Sequence, residues 1–524
     1  MNGGTKLKAW LIMFIFLLVM ACTAVAGQII YVDADAPGAN DGSSWADAYN
    51  YLQDALADAN SGDEIHVAEG IYKPDEDSAY PNGTGSRSAT FQLMNGVAVK
   101  GRYAGFGQPD PNERNFELYE TILSGDLAGN DTEVNDLSDL WDEPTRADNS
   151  LHVVTGSGTD ATAVLDGFTI TGGNANSGAS QNMHRMGAGM IVSDGSPTLT
   201  DCTFTSNSAE WYGGGMRTDR INFSPTLTNC TFSGNYAGSA GGGMFNGRSS
   251  PMLKNCTFIG NLAGAYGGGM YDTGGSELTN CTFIRNSAGW GGGGIANTVS
   301  STSLFNCMFI SNSAYYGGVM FTSDTSSVTM TNCTFAANSA TLGNAVACNG
   351  MGSWGPAWSD LQFTNCILWN SGNEIWINDN SVITIRYSDV QGGQASVYDP
   401  CNRLVWGDGN MDADPCFADR NNGDYHLKSQ AGGWEPSSQS WVKDEVTSPC
   451  IDAGNPMSPI RQEPFPNGGI INMGAYGGTA KASKSYFGEP PCETIVAGDI
   501  NGDCKVNFLD FSLMALHWLR DENP

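Results

Sequence analysis

Asn229-Cys-Thr-Phe-Ser-Gly-Asn235, Asn255-Cys-Thr-Phe-Ile-Gly-Asn261 and Asn280-Cys-Thr-Phe-Ile-Arg-Asn286 are three of six near-copies of one seven-residue phrase; the others begin at Asp201, Asn306 and Asn332. Their cysteines (Cys202, Cys230, Cys256, Cys281, Cys307 and Cys333) are spaced 28, 26, 25, 26 and 26 residues apart, and a weaker copy follows at Asn365. A fixed period of this length is the mark of a solenoid with one coil per repeat. Side chains alternate along a strand, so Cys and the Phe two residues later face inward, while Thr and the leading Asn face outward. Three residues beyond each Phe stands another Asn (Asn207, Asn235, Asn261, Asn286, Asn312, Asn338), expected to turn the chain in a left-handed conformation and to bond its copy one coil away. Gly-Gly-Gly-Met (Gly213 to Met216, Gly241 to Met244, Gly267 to Met270) then supplies a sharp corner. The segments are Gly- and Thr-rich without a 3.6-residue period, and they lack a leucine framework. A helical solenoid is therefore excluded and a leucine-rich one disfavoured, and an all-β, right-handed parallel β-helix is predicted.

Working outward, Ser44 to Ala59 reads as a capping helix with Trp45, Tyr49, Leu52 and Leu56 on one face, laid over the first coil to cover its strand edges. Lys6, Lys8 and an apolar run from Ala9 to about Ala21 read as a secretory signal; Val19-Met20-Ala21-Cys22 offers the alternative of a lipoprotein anchored at Cys22. The predicted organisation is residues 1–26 signal peptide, 27–164 cap and degenerate coils with insertions, 165–400 regular coils, 401–485 C-terminal coils and cap, and 486–524 a separate module. No later stretch is apolar enough for a transmembrane helix. With 24 Lys+Arg against 55 Asp+Glu the formal charge is −31, which repels nucleic acid and anionic lipid and attracts divalent cations. The acidic segment Gly125 to Asn149 reads as a solvated loop, with ion binding as the alternative.

The Phe-x-x-Asn and Gly-Gly-Gly-Met pattern, as in Phe258 to Asn261 and Gly267 to Met270, resembles the repeats of chlamydial polymorphic outer-membrane proteins, over roughly residues 165 to 345. Tyr31 to Trp45, Ser448 to Pro456 and Asn472 to Gly478 look like secreted bacterial β-helix proteins of the choice-of-anchor type, with a pectate-lyase-like architecture. Gly498 to Leu519 resembles one repeat of a type I dockerin. Its EF-hand-like loop would hold calcium through Asp499, Asn501, Asp503, Asn507 and Asp510, with the Lys505 carbonyl as a further donor. Cys504 stands where such loops carry Gly, and one calcium repeat is present where dockerins have two. The following apolar run, Phe508 to Trp518, would pack on the β-helix or on a protein receptor.

The inward cysteines are expected to be reduced packing residues. Cys401 with Cys416, and Cys492 with Cys504, are candidate disulfides; Cys348 and Cys450 carry no assignment. Just before the glycine corner, Tyr212, Tyr266, Trp290 and Tyr316 read as one row of aromatic rings able to bind sugars, or to shield the glycine turns. In the strand after the corner the surface offers one acid, Asp272, and one base, Arg217, two coils apart. The five histidines do not cluster in sequence, and no lyase or hydrolase motif is present. The functional expectation is a secreted or cell-surface protein that binds extracellular polysaccharide or a cell-surface partner, with a polysaccharide lyase or glycoside hydrolase, or a structural adhesin, as the alternatives.

Overall fold

The computed structural model describes residues 27–177, 182–349, 358–486, 500, 506 and 508–518. The signal segment, Cys22, Cys492 and Cys504 lie outside them.

Every coil contributes one strand to each of three or four parallel sheets, named here for the residue each turns inward. The Leu sheet has 13 strands, from Ile29–Val32 to Leu404–Trp406; the Phe and Met sheets have 11 each, and a short Ala sheet has seven. The strands pair in parallel and in phase: Phe204 with Phe232, Phe232 with Phe258, Phe258 with Phe283, Phe283 with Phe309. One coil per repeat is thereby established, and coils hold together by main-chain bonds such as Thr257 N–H to Cys230 O at 2.9 Å. Chirality makes crossovers between parallel strands right-handed.

Stacking identical side chains fills the interior. Phe204, Phe232, Phe258 and Phe283 lie face to face with centroids 4.8, 4.7 and 4.6 Å apart. The cysteines beside them are buried free thiols. Leu199, Leu227, Leu253 and Leu278 line a second wall, and Met216, Met244 and Met270 the third. The asparagines after each Phe form a buried ladder. Asn261 Nδ2 donates to Asn286 Oδ1 at 2.9 Å and to Phe232 O at 2.9 Å, while its Oδ1 accepts from Asn235 N–H and Nδ2 at 3.1 and 3.0 Å. Each amide is thus satisfied by the coils on either side, which is what a buried polar group requires. The ladder ends on a carboxylate: Asn370 donates to Glu374 from its main chain at 2.8 Å and from Nδ2 at 2.6 Å.

Three local expectations are corrected. The left-handed residue of that turn is not the ladder asparagine but the one before it, Ser206, Gly234, Gly260, Arg285 or Ser311. A second left-handed position falls on the Asn preceding each Cys, with φ near 54° at Asn229, Asn255 and Asn280. These residues therefore sit in a turn between the Leu and Phe sheets, not in a strand, and they bond one another: Asn255 Nδ2 to Asn229 Oδ1 at 3.0 Å. The capping helix is shorter than predicted. It spans only Leu52–Asp58, because Asp47 gathers Ser44 and the Ala39 N–H into a turn and Tyr49 is drawn into a bridge with Val32. Its Leu52, Ala55 and Leu56 are buried against the first two coils.

Beyond Met411 the chain leaves the axis. Two antiparallel hairpins follow, Phe417–Asp419 with Asp424–Leu427 and Gly433–Glu435 with Ser440–Val442. The segment through Ser448 and Asn472 then runs back along the flank of the solenoid. There Asn306 Nδ2 donates to Ala475 O and Gly477 O at 2.7 and 2.8 Å, and Asn332 Nδ2 to Asn472 O at 3.2 Å. The motifs read as a C-terminal cap therefore cover the outer asparagine row from the side.

Candidate functional site: an aromatic belt on the Met sheet

Two outward rows meet beside the glycine corner. Gly241, Gly267 and Gly292 hold φ of 70°, 64° and 69°, which a side chain would strain. Immediately before these corners the in-phase residues are Tyr212, Ala240, Tyr266, Gly291 and Tyr316. Just after them, one residue past each inward Met, stand Arg217, Phe245, Tyr271, Ala296 and Phe321, continued by Ala347, Trp376 and Tyr398. Large and small residues alternate, so each tyrosine leans over a small neighbour onto a ring further along. Tyr212 stacks on Phe245 (4.6 Å), Tyr266 approaches Phe321 (5.6 Å) and Tyr316 approaches Trp376 (5.4 Å). A Cβ on Gly291 would come within 2.8 Å of the Phe321 ring, so the gap in the row is required by its neighbour.

This geometry corrects the predicted row. Tyr212, Tyr266 and Tyr316 are in phase, but Trp290 is one residue early and Gly291 holds its place. The three tyrosines are half-buried and pack with their neighbours. Trp290 instead stands out, 48% exposed, stacked on Tyr315 (43% exposed) at 5.9 Å. At the far end of the belt Tyr398, 53% exposed, stacks on Trp376 at 6.1 Å. Beside that pair opens a cavity of about 490 Å³, lined by Trp376, Tyr398, Leu342, Thr341, Asn373 and Ser396 among others.

The thin catalytic set does not assemble. Asp272 is wholly buried inside the coil, accepting from Asn246 Nδ2 at 2.7 Å, from the Gly274 and Gly275 N–H groups, and from Thr302 Oγ1. Residues two positions after the corner Met point inward, so Asp272 and Arg217 occupy opposite faces of the sheet. Arg217 is itself buried and paired with Asp219 at 2.7 Å. The fold does bring together two histidines distant in sequence, His152 and His184, with centroids 5.9 Å apart. Burial pushes His152 down to about 4, and its Nδ1 lies 3.0 Å from Gly187 O, so it is a neutral packing residue at neutral pH.

Of the residues predicted to hold calcium, Asp499, Asn501, Asp503, Lys505 and Asn507 lie outside the described residues. Asp510 is buried at the start of the helix Phe508–Trp518, with Oδ1 accepting the Ile500 N–H at 2.7 Å. Phe508, Phe511 and Met514 of the helix are exposed, so they are not packed on the β-helix. The acidic loop uses its carboxylates internally: Asp126 accepts the Gly129, Asn130 and Asp131 N–H groups, and Asp131 pairs with buried Arg146 at 2.9 Å. Among the described residues no three metal-binding side chains converge.

Cys401 and Cys416 are free, and the bridge expected between them is not formed. Cys401 is exposed on the last turn before Leu404–Trp406, whereas Cys416 has already left the axis, its carbonyl taken by Lys428 N–H at 3.0 Å. The two unassigned thiols are buried donors or acceptors: Cys450 donates to Asp389 Oδ2 at 3.2 Å, and Cys348 accepts from Thr322 Oγ1 at 3.2 Å. Burial pushes Cys348 up to about 12, which keeps it an unreactive thiol.

Residues 153–335 match a family model described as "Right handed beta helix region", and residues 281–454 one described as "Disaggregatase related". No curated protein matches the sequence. Among solved structures the chain is similar to one titled "Crystal structure of pectate lyase Pel9A", at 13% sequence identity and a TM-score of 0.46, with 86% of this chain and 97% of that one covered. By the phase of its sheets and the region matched, the chain is a right-handed parallel β-helix.

Proposed function

We propose that this protein is secreted or surface-attached and binds extracellular polysaccharide along the aromatic belt of its Met sheet, with the C-terminal calcium loop and its helix as the attachment module. One observation carries the reading: Trp290, Tyr315 and Tyr398 expose their rings along a belt whose other rings are locked by mutual packing. Rigid aromatic faces with polar tips suit sugar rings, and their rigidity lowers the entropy lost on binding. Binding is favoured over turnover because the acid and base of the Met sheet do not share a face.

On immobilised glycans, replacing Trp290 and Tyr315 together by Ala is expected to weaken retention about tenfold, the loss of one aromatic contact, without lowering the melting temperature. Unchanged retention would remove these rings from the site. For the module, titration calorimetry should give a calcium signal that Asp499→Ala abolishes; a silent wild type would end the calcium assignment.

A further inference from the structure

We propose that the cavity beside Trp376 and Tyr398 seats a sugar ring of a neutral polysaccharide, not of a uronic-acid chain. The inference rests on the reading above and specifies its ligand.

Charge carries the argument. None of the ten residues lining the cavity is ionisable apart from the Tyr398 phenol; the polar ones are Thr341, Asn373 and Ser396. From Phe245 to Tyr398 the outward row carries no charged side chain. At the other end of the belt the cations are already engaged: Arg217 with Asp219 at 2.7 Å, and Arg185 with Glu210 at 3.2 Å. Among the described residues of the cavity lining and of the outward row from Phe245 to Tyr398, a polyuronate would thus meet no cation, on a chain whose net charge is −31. Its carboxylates would be desolvated without a partner, a cost no apolar contact offsets. A neutral sugar brings only hydroxyls. Those need a ring wall, given by Trp376 and Tyr398, and exchangeable donors and acceptors, given by the exposed Thr341 hydroxyl and Asn373 amide. The Asn373 main chain is fixed in a left-handed turn at φ 47°, its carbonyl accepting the Asn344 N–H at 2.7 Å.

The test compares retention of the full protein on a neutral glucan, a neutral mannan and polygalacturonate, at low and high salt. The expected result is retention on a neutral glycan that salt does not change, reduced about tenfold by Asn373→Gly, which keeps the left-handed turn, and by Tyr398→Ala, both residues being exposed. Retention on polygalacturonate that salt releases would overturn the neutral class while leaving polysaccharide binding intact. Neutral retention that ignores both substitutions but falls with Trp290→Ala would overturn the cavity and leave the belt. No retention on any of the three would sink the neutral ligand and the binding reading together.

Discussion

Replacing Phe258 by Ala is expected to cost about 3–5 kcal/mol of folding stability, measured by urea denaturation, because it removes a ring with no exposed surface from the middle of a stack. Phe258 lies between Phe232 at 4.7 Å and Phe283 at 4.6 Å, both held in place by main-chain bonds to their own neighbours. Neither ring can slide along the axis to fill the hole, since every strand is locked in phase by its pairing. The residual cavity is therefore near its full size, which puts the cost at the upper end of the range. In a solenoid stability is a sum over neighbouring coils, so the loss should also split the unfolding transition at this coil. A change below about 1 kcal/mol would mean the rings are not packed on each other.

Stability should fall as pH rises from about 4.5 to about 7 and level off above it. Burial pushes Glu374, Asp389 and Glu463 each up to about 7, from ordinary values of 4.5, 3.8 and 4.5. A carboxyl whose folded value lies above its unfolded one holds its proton more tightly in the folded state. Stability is then greatest below the unfolded value and is lost as pH climbs to the folded one, by about 1.4 kcal/mol for each pH unit that separates the two. For Glu374 alone that is about 3 kcal/mol. Two groups work the other way: Lys100 at 2.7 Å and His66 hold Glu64 below the usual carboxylate range, so its contribution disappears only in acid, and buried His152, pushed down to about 4 from 6.5, adds stability as pH rises to 6.5, by less than the three acids together remove. Glu463→Gln imitates the protonated side chain, because Oε1 takes the Asn472 and Gly478 N–H groups at 2.8 Å each while Oε2 accepts no hydrogen bond among the described residues, leaving room for the amide nitrogen there. Melting curves should show it level with wild type at pH 4.5 and more stable at pH 8; equal pH slopes for the two would refute the buried-acid account.

The interior is legible in the sequence because stacking repeats it. Cys, Phe and the following Asn each meet their own copies, and a residue that must pack against itself shows its period directly. The Leu and Met rows recur in the same way. What escapes a reading of the sequence is set by contacts across unlike positions. Trp290 reads as a member of the tyrosine row, yet four glycines, Gly291 to Gly294, separate it from Ile295, where only three separate Tyr266 from Met270. Counting back from the inward residue exposes the offset. Trp376 and Tyr398 lie where the Cys-Thr-Phe phrase has lapsed, so only the row one place beyond Ile375 and Val397 leads to them. The return of residues 448–486 along the flank has no periodic signal at all. It is visible only as burial of Asn306, Asn332 and Asn365, whose counterparts Asn229, Asn255 and Asn280 are exposed.

The central claim is that successive copies of the phrase are successive coils about one axis, and cysteine pairs on the outer face of the Phe sheet test it most directly. Thr231 pairs with Thr257, and Thr257 with Thr282. Adjacent coils stand about 4.8 Å apart, within the span of a disulfide, and alternate coils about twice that, beyond it. Under mild oxidation Thr231→Cys with Thr257→Cys should form the bridged peptide in mass spectrometry, and Thr231→Cys with Thr282→Cys should not. A bridge in the second pair, or none in the first, would contradict the stacked coil and every site placed by its phase.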